Sequence, residues 1–391
     1  MIDKLITPCV RLEAVRRFSL GGRRMTSLGR LPLALATGTI LGASLLHGDT
    51  NLQTVLERKV VLTENKTIFT LFCLLNLGGY DEENNPAGMH ATRIQVRQQL
   101  AREAPPDVAR RIRSFYQAHK NADPYNYSVV AMLTSGPPDF KFTAQWPDVS
   151  KDPSFGSLEG LPPLLRDLYA TAPIEKIYAG VRPDYRRYID LYRAAIVAQV
   201  SKVLTYCRVS TLADISGGEV QHAAIIPNLL DSFDHAFSFV LSDTFDSVEG
   251  PQEKIGYNPH EFVHSITNPI SYDATYKTLQ EHAGPLYDVA RTIPGIGDVD
   301  SLQNFLDENL VRAISLKYLD DATPARSAKL REVMMQEYRS GYILERFFYE
   351  QLGEYEKSGQ GLSAYYPTML KRLDAKYELA SWKQETKTLP K

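Results

Sequence analysis

The chain has 391 residues, of which 43% are hydrophobic and 23% charged. These values are typical of a packed globular protein and exclude a disordered chain, and the length allows one large domain or two ordinary ones. The formal net charge of −2 gives no electrostatic reason to expect a nucleic-acid partner.

The first 48 residues have a charge pattern of their own. They carry seven Lys or Arg and two acids, which leaves 37 bases against 44 acids in the rest of the chain. The bases precede an uncharged, mostly apolar run over residues 31–46, which is shorter than the roughly 20 residues of a membrane-spanning helix but suits the core of a secretory signal. We predict a leader over 1–48 and export to the periplasm or beyond the cell. The alternative is that the leader is not cleaved and anchors the protein to the membrane. We expect no membrane contact other than through such a leader.

The chain after the leader, which we call the body, divides into two parts. In the first part, residues 49–210, short apolar runs alternate with segments whose apolar residues recur at helical spacing. A stretch rich in Pro, Gly, Asp and Ser over 135–163 predicts a long loop. Strands or buried runs are predicted over Val60–Leu62, Ile68–Leu77 and Asn126–Leu133, and helices over 89–118, with a break at Pro105-Pro106, and over 173–206.

The second part, residues 211–391, begins with strand patterns over Val220–Leu229 and Ala236–Leu241 and is otherwise helical. Helices are predicted near 259–267, 272–290, 300–319, 325–357 and 362–378. The whole pattern indicates an α+β fold in which a small mixed sheet packs against a mostly helical body. Cys73 and Cys207 have no disulfide-framework spacing, so we expect buried free thiols, although an exported protein could pair them.

A metal-binding pattern lies in the second part. Residues 258–264 read Asn-Pro-His-Glu-Phe-Val-His, in which Asn suits a helix N-cap and Pro the first helical position. Asn268-Pro269 should end the helix. The four-residue spacing of His260 and His264 places both imidazoles on one helix face, about 6 Å apart along the axis, where both can bind one Zn²⁺.

Glu261 is the expected general base. It is turned by about 100° from His260 on the helix, so it reaches beside the metal instead of binding it. There it can take a proton from a zinc-bound water, whose pKa the metal lowers from about 15.7 to roughly 7, and pass it to a leaving amine.

A catalytic zinc also needs a third protein ligand. Thr267 and Ile270 occupy the positions at which metzincins carry a glycine and a third histidine, which excludes that arrangement. Downstream of His264 the candidates are His282 and a set of carboxylates: Asp273, Glu281, Asp307, Glu308, Asp320, Asp321, Glu345 and Glu350. We favour Glu308, because Arg312 lies one helical turn later and can hold the ligand carboxylate.

These residues resemble a bacterial family of zincin-like metallopeptidases that is defined as a domain of unknown function. Its motif helix reads HEFSHS followed by Asn-Pro, and here residues 260–269 read HEFVHSITNP. A GYD-like turn is matched at Gly78–Asp81, and an E-x-L-V-R-A-like segment at Glu308–Ala313. The resemblance covers about residues 65–375 and implies a gluzincin-like site, with zinc on His260, His264 and Glu308, but no defined substrate. Val263 replaces the family's Ser at a position that is not a ligand.

Several further residues were weighed for the site. Tyr342 is a possible oxyanion donor, and Tyr257 is an equal alternative. His222 and His235 flank the predicted strands and could line the cleft, although an ordinary surface or core role is the simpler interpretation. Glu345 and Glu350 are expected on a solvated helix face.

The sequence therefore predicts an exported zinc-dependent hydrolase, a peptidase acting on peptide or protein. The same metal-binding motif would also fit an amidase that acts on cell-wall material. The alternative from another class is a non-catalytic, zinc-stabilised cell-envelope binding protein, which would have a fourth protein ligand or a closed cleft.

Overall fold

The computed structural model describes residues 60–80, 89–209, 220–252, 259–293, 296, 301–320 and 323–387. The predicted leader lies outside these residues, so its signal or anchor role stays a prediction. In the described part of the chain, no helix has the length and apolar character needed to cross a membrane.

A small mixed sheet is present. Its strands are β1 (Val60–Leu62), β2 (His222–Pro227), β3 (Ala236–Leu241) and β4 (Thr244–Glu249), in the order β1-β2-β4-β3. β1, β2 and β4 run parallel, and β3 pairs antiparallel with β4. The strands predicted near 60, 222 and 236 are confirmed. β4 was not predicted, because acidic and hydroxyl side chains interrupt its apolar pattern although most of them are buried.

The helices of the first part lie mainly on one face of the sheet, although the second half of the last one, Ile174–Tyr206, packs into the core on the other face. They are α1 (Lys66–Gly78), α2 (Ala91–Glu103), α3 (Pro106–Ala118), α4 (Pro124–Met132), α5 (Trp146–Val149), α6 (Pro153–Gly156), α7 (Leu161–Thr171) and α8 (Ile174–Tyr206). The predicted break at Pro105-Pro106 and the long helix ending at 206 are confirmed. The predicted loop over 135–163 contains two four-residue helices, α5 and α6.

Two of the apolar runs predicted as strands or buried segments, 68–77 and 126–133, are buried helices. The Asn65 side chain accepts hydrogen bonds from the backbone N–H groups of Thr67 and Ile68 at the start of α1, and Gly79 ends this helix with φ of 104°. Asp123 forms a capping box with Asn126 at the start of α4. Both helices are buried on nearly every side, so their sequences lack the 3.6-residue period that distinguishes a helix from a buried strand.

The second part adds helices on the other face. They are α9 (His260–Ser271), α10 (Lys277–Gln280), α11 (Gly284–Ala290), α12 (Leu302–Leu319), α13 (Pro324–Ser340), α14 (Glu345–Ser358), α15 (Leu362–Lys371) and α16 (Ala375–Lys387), with 3₁₀ turns at Ala274–Tyr276 and Glu281–Ala283. The α+β class with a mostly helical body is thus confirmed.

The sheet separates two hydrophobic cores. Along β2, Ala223 and Ile225 join the core shared with α9 and α12, whereas Ile226 joins the core of the first-part helices. α8 contributes to both, since its residues up to Tyr185 lie in the first-part core and those from Ile189 in the other. Both cores therefore draw residues from either side of position 210.

Candidate metal centre

The helix α9 carries the predicted motif and is buried along almost its whole length. It begins at His260, directly after Pro259, while the predicted cap Asn258 lies outside the described residues. The prediction that Asn268-Pro269 ends the helix is wrong, because α9 continues through Pro269 to Ser271. The Tyr272 N–H still donates to Asn268 O at 2.9 Å, so helical hydrogen bonding resumes after the one bond that proline removes.

The helix α12 packs against α9 and supplies the acidic side chains. Ser301 caps it by accepting from the backbone N–H of Asn304. The residues from Asn304 to Ile314 are all buried, which explains why this helix has hardly any exposed polar face. Asp307 and Glu308 are 1% and 4% exposed, so their charges must be compensated inside the protein.

Three predicted ligands converge between α9 and α12. The Nε2 atoms of His260 and His264 lie 3.3 Å apart. Glu308 Oε1 lies 3.5 Å from His260 Nε2, and Glu308 Oε2 lies 3.4 Å from His264 Nε2. Donors bound to one tetrahedral zinc at about 2.0–2.1 Å lie about 3.3–3.4 Å from each other, so the spacing fits such an ion.

The donor chemistry also calls for a cation. His264 Nδ1 lies 2.6 Å from Asp307 Oδ2, and because the carboxylate only accepts, Nδ1 carries the proton in a neutral ring. The lone pair of Nε2 then faces the Glu308 carboxylate. Two electron-rich atoms at that distance, both buried, need a metal ion or an added proton between them. The three residues form a group that could hold a metal ion, and its identity is not fixed by this geometry.

Arg312 braces the far side of the Glu308 carboxylate, as predicted. Its Nη2 lies 2.6 Å from Glu308 Oε1, and its Nη1 lies 3.0 Å from Glu337 Oε1. Burial opposes ionisation, but the Arg312 guanidinium holds the pKa of Glu308 well below its usual range. Glu308 is therefore a carboxylate, the form that binds metal.

Tyr342 packs against the same arginine. The Arg312 guanidinium carbon lies 3.7 Å from the centroid of the Tyr342 ring, and the Tyr342 hydroxyl donates to Ile296 O at 2.9 Å. The hydroxyl proposed as an oxyanion donor thus has a backbone acceptor in this arrangement, and the ring supports Arg312. The alternative donor, Tyr257, lies outside the described residues.

Glu345 is not on a solvated face, which corrects the prediction. It is fully buried at the start of α14, whereas Glu350 is exposed, with an oxygen 4.0 Å from Arg346. Burial and the neighbouring Glu337 carboxylate raise the pKa of Glu345 well above its usual range. The sequence shows no sign of this burial, because Glu345 begins a helix whose later acids are solvated.

Glu261 lies on the same buried helix, beside the ligands. Its Oε2 accepts a hydrogen bond of 2.7 Å from the Ser238 hydroxyl on β3. Glu261 is 2% exposed and Ser238 fully buried. No other hydrogen bond reaches the Glu261 carboxylate within the described residues, so Oε1 is left for other chemistry.

The remaining candidates do not belong to the metal group. His282 is exposed in a 3₁₀ turn and does not belong to the metal group. His222 is half-buried, 3.9 Å from Asp243. His235 Nδ1 lies 2.9 Å from buried Asp231 Oδ2; burial lowers the pKa of His235, but this carboxylate outweighs it and raises the value to about 9. The buried thiols expected for Cys73 and Cys207 are confirmed as free.

Two residues of the site were not assigned their roles from the sequence. Asp307 was considered as a ligand, but it supports His264; its position directly before Glu308, about 100° around the same helix, was the available signal. Ser238 gave no signal, since its contact with Glu261 depends on how β3 and α9 pack.

Comparisons of the chain with protein-family models, with curated proteins and with solved structures found no match.

Proposed function

We propose that this chain is a zinc-dependent hydrolase and, within that class, a peptidase. The observation that carries the proposal is the convergence of His260, His264 and Glu308 at zinc-binding distances from two packed helices. In the described part of the chain, the group contains no fourth His, Cys, Asp or Glu donor. Three protein ligands and one open position are typical of catalytic zinc, whereas structural sites have four.

The residues around the ligands support hydrolysis. A bound zinc ion would supply Lewis acidity and lower the pKa of water to about 7. Glu261 then moves a proton from the attacking water to the leaving amine, first holding it on its carboxylate. Asp307 keeps His264 in the tautomer whose Nε2 carries no proton, and Arg312 fixes the Glu308 carboxylate.

The strand β3 supports a peptide as the substrate. It pairs with β4 on one side and is the last strand in the described sheet. Ser238 of this strand contacts Glu261 directly, so the edge lies beside the proposed general base. An extended peptide can bind to such an edge through backbone hydrogen bonds. The resemblance of the motif helix to zincin-like metallopeptidases supports the same substrate class.

Metal content tests the ligand assignment. We expect about one zinc per chain in the wild type, and less than about a tenth of that in His264→Ala and Glu308→Ala after dialysis against a weak chelator. His235→Ala is the matched control, because it removes a half-buried histidine that is also paired with an aspartate. Equal zinc in all four proteins would refute the assignment.

Turnover tests the role of Glu261. Wild type loaded with zinc should cleave fluorescein-labelled casein, and Glu261→Gln should bind zinc equally but lose activity by at least about 10²–10⁴-fold. The substitution keeps the size of the side chain and its ability to accept from Ser238. Retained turnover in Glu261→Gln would count decisively against this mechanism.

One observation favours the non-catalytic alternative, a zinc-stabilised cell-envelope binding protein. His260, His264 and Glu308 are at most 5% exposed, as expected of a metal that serves structure. This alternative predicts that zinc-loaded wild type shows no more hydrolysis than Glu261→Gln, while zinc still raises the unfolding temperature of both.

A further inference from the structure

We propose that Ser238 is a positioning residue that holds the Glu261 carboxylate in the orientation needed for proton transfer. The inference rests on the proposed hydrolase function and deepens it. It begins from one contact, the 2.7 Å hydrogen bond from Ser238 Oγ to Glu261 Oε2, between two fully or almost fully buried side chains.

The contact distinguishes the two carboxylate oxygens. A carboxylate that takes up a proton keeps one oxygen as a carbonyl acceptor. Ser238 can donate to Oε2 before and after that uptake, so its bond need not break while Oε1 takes the proton from the attacking water. The same proton then leaves Oε1 for the leaving nitrogen, and Glu261 ends the cycle as the carboxylate it began as.

The contact also fixes where the carboxylate lies. A glutamate side chain has three rotatable bonds, and its terminal torsion has a broad energy minimum. Ser238 belongs to a strand that is hydrogen-bonded to β4, so its hydroxyl is held by the sheet and not by α9 itself. The sheet thereby determines the orientation of a side chain on the motif helix. Proton transfer requires such alignment to within a few tenths of an ångström.

The neighbouring strand supplies a matched control. Ser247 lies directly opposite Ser238 in the β3–β4 register and is also fully buried. Its Oγ donates to a buried carboxylate too, Glu249 Oε1, at 2.5 Å. The two serines therefore share residue type, sheet face, burial and bond type, and differ in the glutamate they contact.

The experiment compares Ser238→Ala and Ser247→Ala in the full chain, first by crystallography. We expect the Glu261 carboxylate to rotate or to occupy more than one conformation in Ser238→Ala, and to keep its wild-type orientation in Ser247→Ala. Zinc affinity should be unchanged in both, because neither serine supplies a donor atom to the His260, His264 and Glu308 group. A wild-type Glu261 orientation in Ser238→Ala would overturn the inference, whatever the activity of the protein.

Kinetics give the second measurement. With labelled casein, kcat of Ser238→Ala should fall about ten- to a hundred-fold, with KM nearly constant and with both parameters unchanged in Ser247→Ala. Ser238→Thr, which restores a hydroxyl, should recover part of the loss. Equal kcat values in the two alanine variants would also overturn the inference. A wild type without turnover contradicts the proposed function instead, and the crystallographic comparison then decides alone whether Ser238 orients Glu261.

Discussion

Replacing Asp307 by Asn changes the support of one metal ligand without touching a donor atom. In the wild type, Asp307 Oδ2 lies 2.6 Å from His264 Nδ1, and both side chains are at most 1% exposed. The amide keeps the size of the carboxylate but removes its charge, and it can turn its NH₂ group toward Nδ1. That orientation favours the tautomer whose proton sits on Nε2, the atom that should bind zinc.

The expected loss of zinc affinity follows from the effect of hydrogen bonds that support metal-binding histidines in other proteins. Their removal weakens metal binding about 10–100-fold, which corresponds to about 1.4–2.7 kcal/mol. The zinc dissociation constant of Asp307→Asn, measured by competition with a chromophoric chelator at pH 7, should rise by that factor. Loss at the upper end would indicate that the amide adopts the unfavourable orientation.

A second histidine–aspartate pair provides the control. Asp231 Oδ2 lies 2.9 Å from His235 Nδ1, and Asp231 is fully buried and does not belong to the metal group. Asp231→Asn makes the same chemical change, so it should lower stability while leaving zinc affinity within about two-fold of wild type. If Asp307→Asn folds and binds zinc as tightly as Asp231→Asn does, our reasoning on the His264 tautomer is wrong.

Three further predictions concern stability. Zinc at about 100 times its dissociation constant should stabilise the wild type by about 2.7 kcal/mol, seen as a rise of several degrees in unfolding temperature that chelation reverses; no rise would contradict the metal site. Glu345 keeps its proton in the folded state at pH values where the unfolded chain has released it, so wild-type stability should fall as pH rises above about 4.5. In Glu345→Gln, the unfolding free energy measured with urea should decrease less between pH 5 and 8 than in wild type. An unchanged pH dependence would refute the claim that Glu345 is a neutral acid in the folded protein. Burial raises the pKa of Asp246 from 3.8 to about 7, so the fold loses stability as pH rises from about 4 to about 7 and stays less stable above that range. Asp246→Asn should be more stable than wild type by about 2–4 kcal/mol at pH 8 and nearly equal to it at pH 4, and equal stabilities at pH 8 would contradict this.

The sequence was sufficient to single out three residues that the structure brings together, His260, His264 and Glu308. His260 and His264 share a helix face because of their four-residue spacing. Glu308 was favoured among several candidates because Arg312 follows one turn later and because the family resemblance implies it. Each of these two relations lies within one helix, the first within α9 and the second within α12. In a helix, the residue period determines which side chains share a face. The distances between α9 and α12 could not be predicted, because they depend on packing between helices far apart in the chain.

The errors have a common physical cause. Residues 68–77 and 126–133 are buried on nearly all sides, so neither shows the amphipathic period that separates helix from strand. Glu345 and Ser238 illustrate the same limit for single side chains. The burial and the hydrogen-bond partners of these two residues arise from tertiary contacts, which cannot be predicted from the neighbouring sequence.

The long helix α8 has a consequence for how the protein unfolds. At about 1.5 Å per residue, its 33 residues extend roughly 50 Å, and its two ends are embedded in different cores. Unfolding of either core would remove apolar contacts from α8, which also belongs to the other core. The two cores should therefore unfold together and not as independent foldons. Calorimetry should then record one heat-absorption peak, and a fragment cut at position 210 should fail to fold on its own.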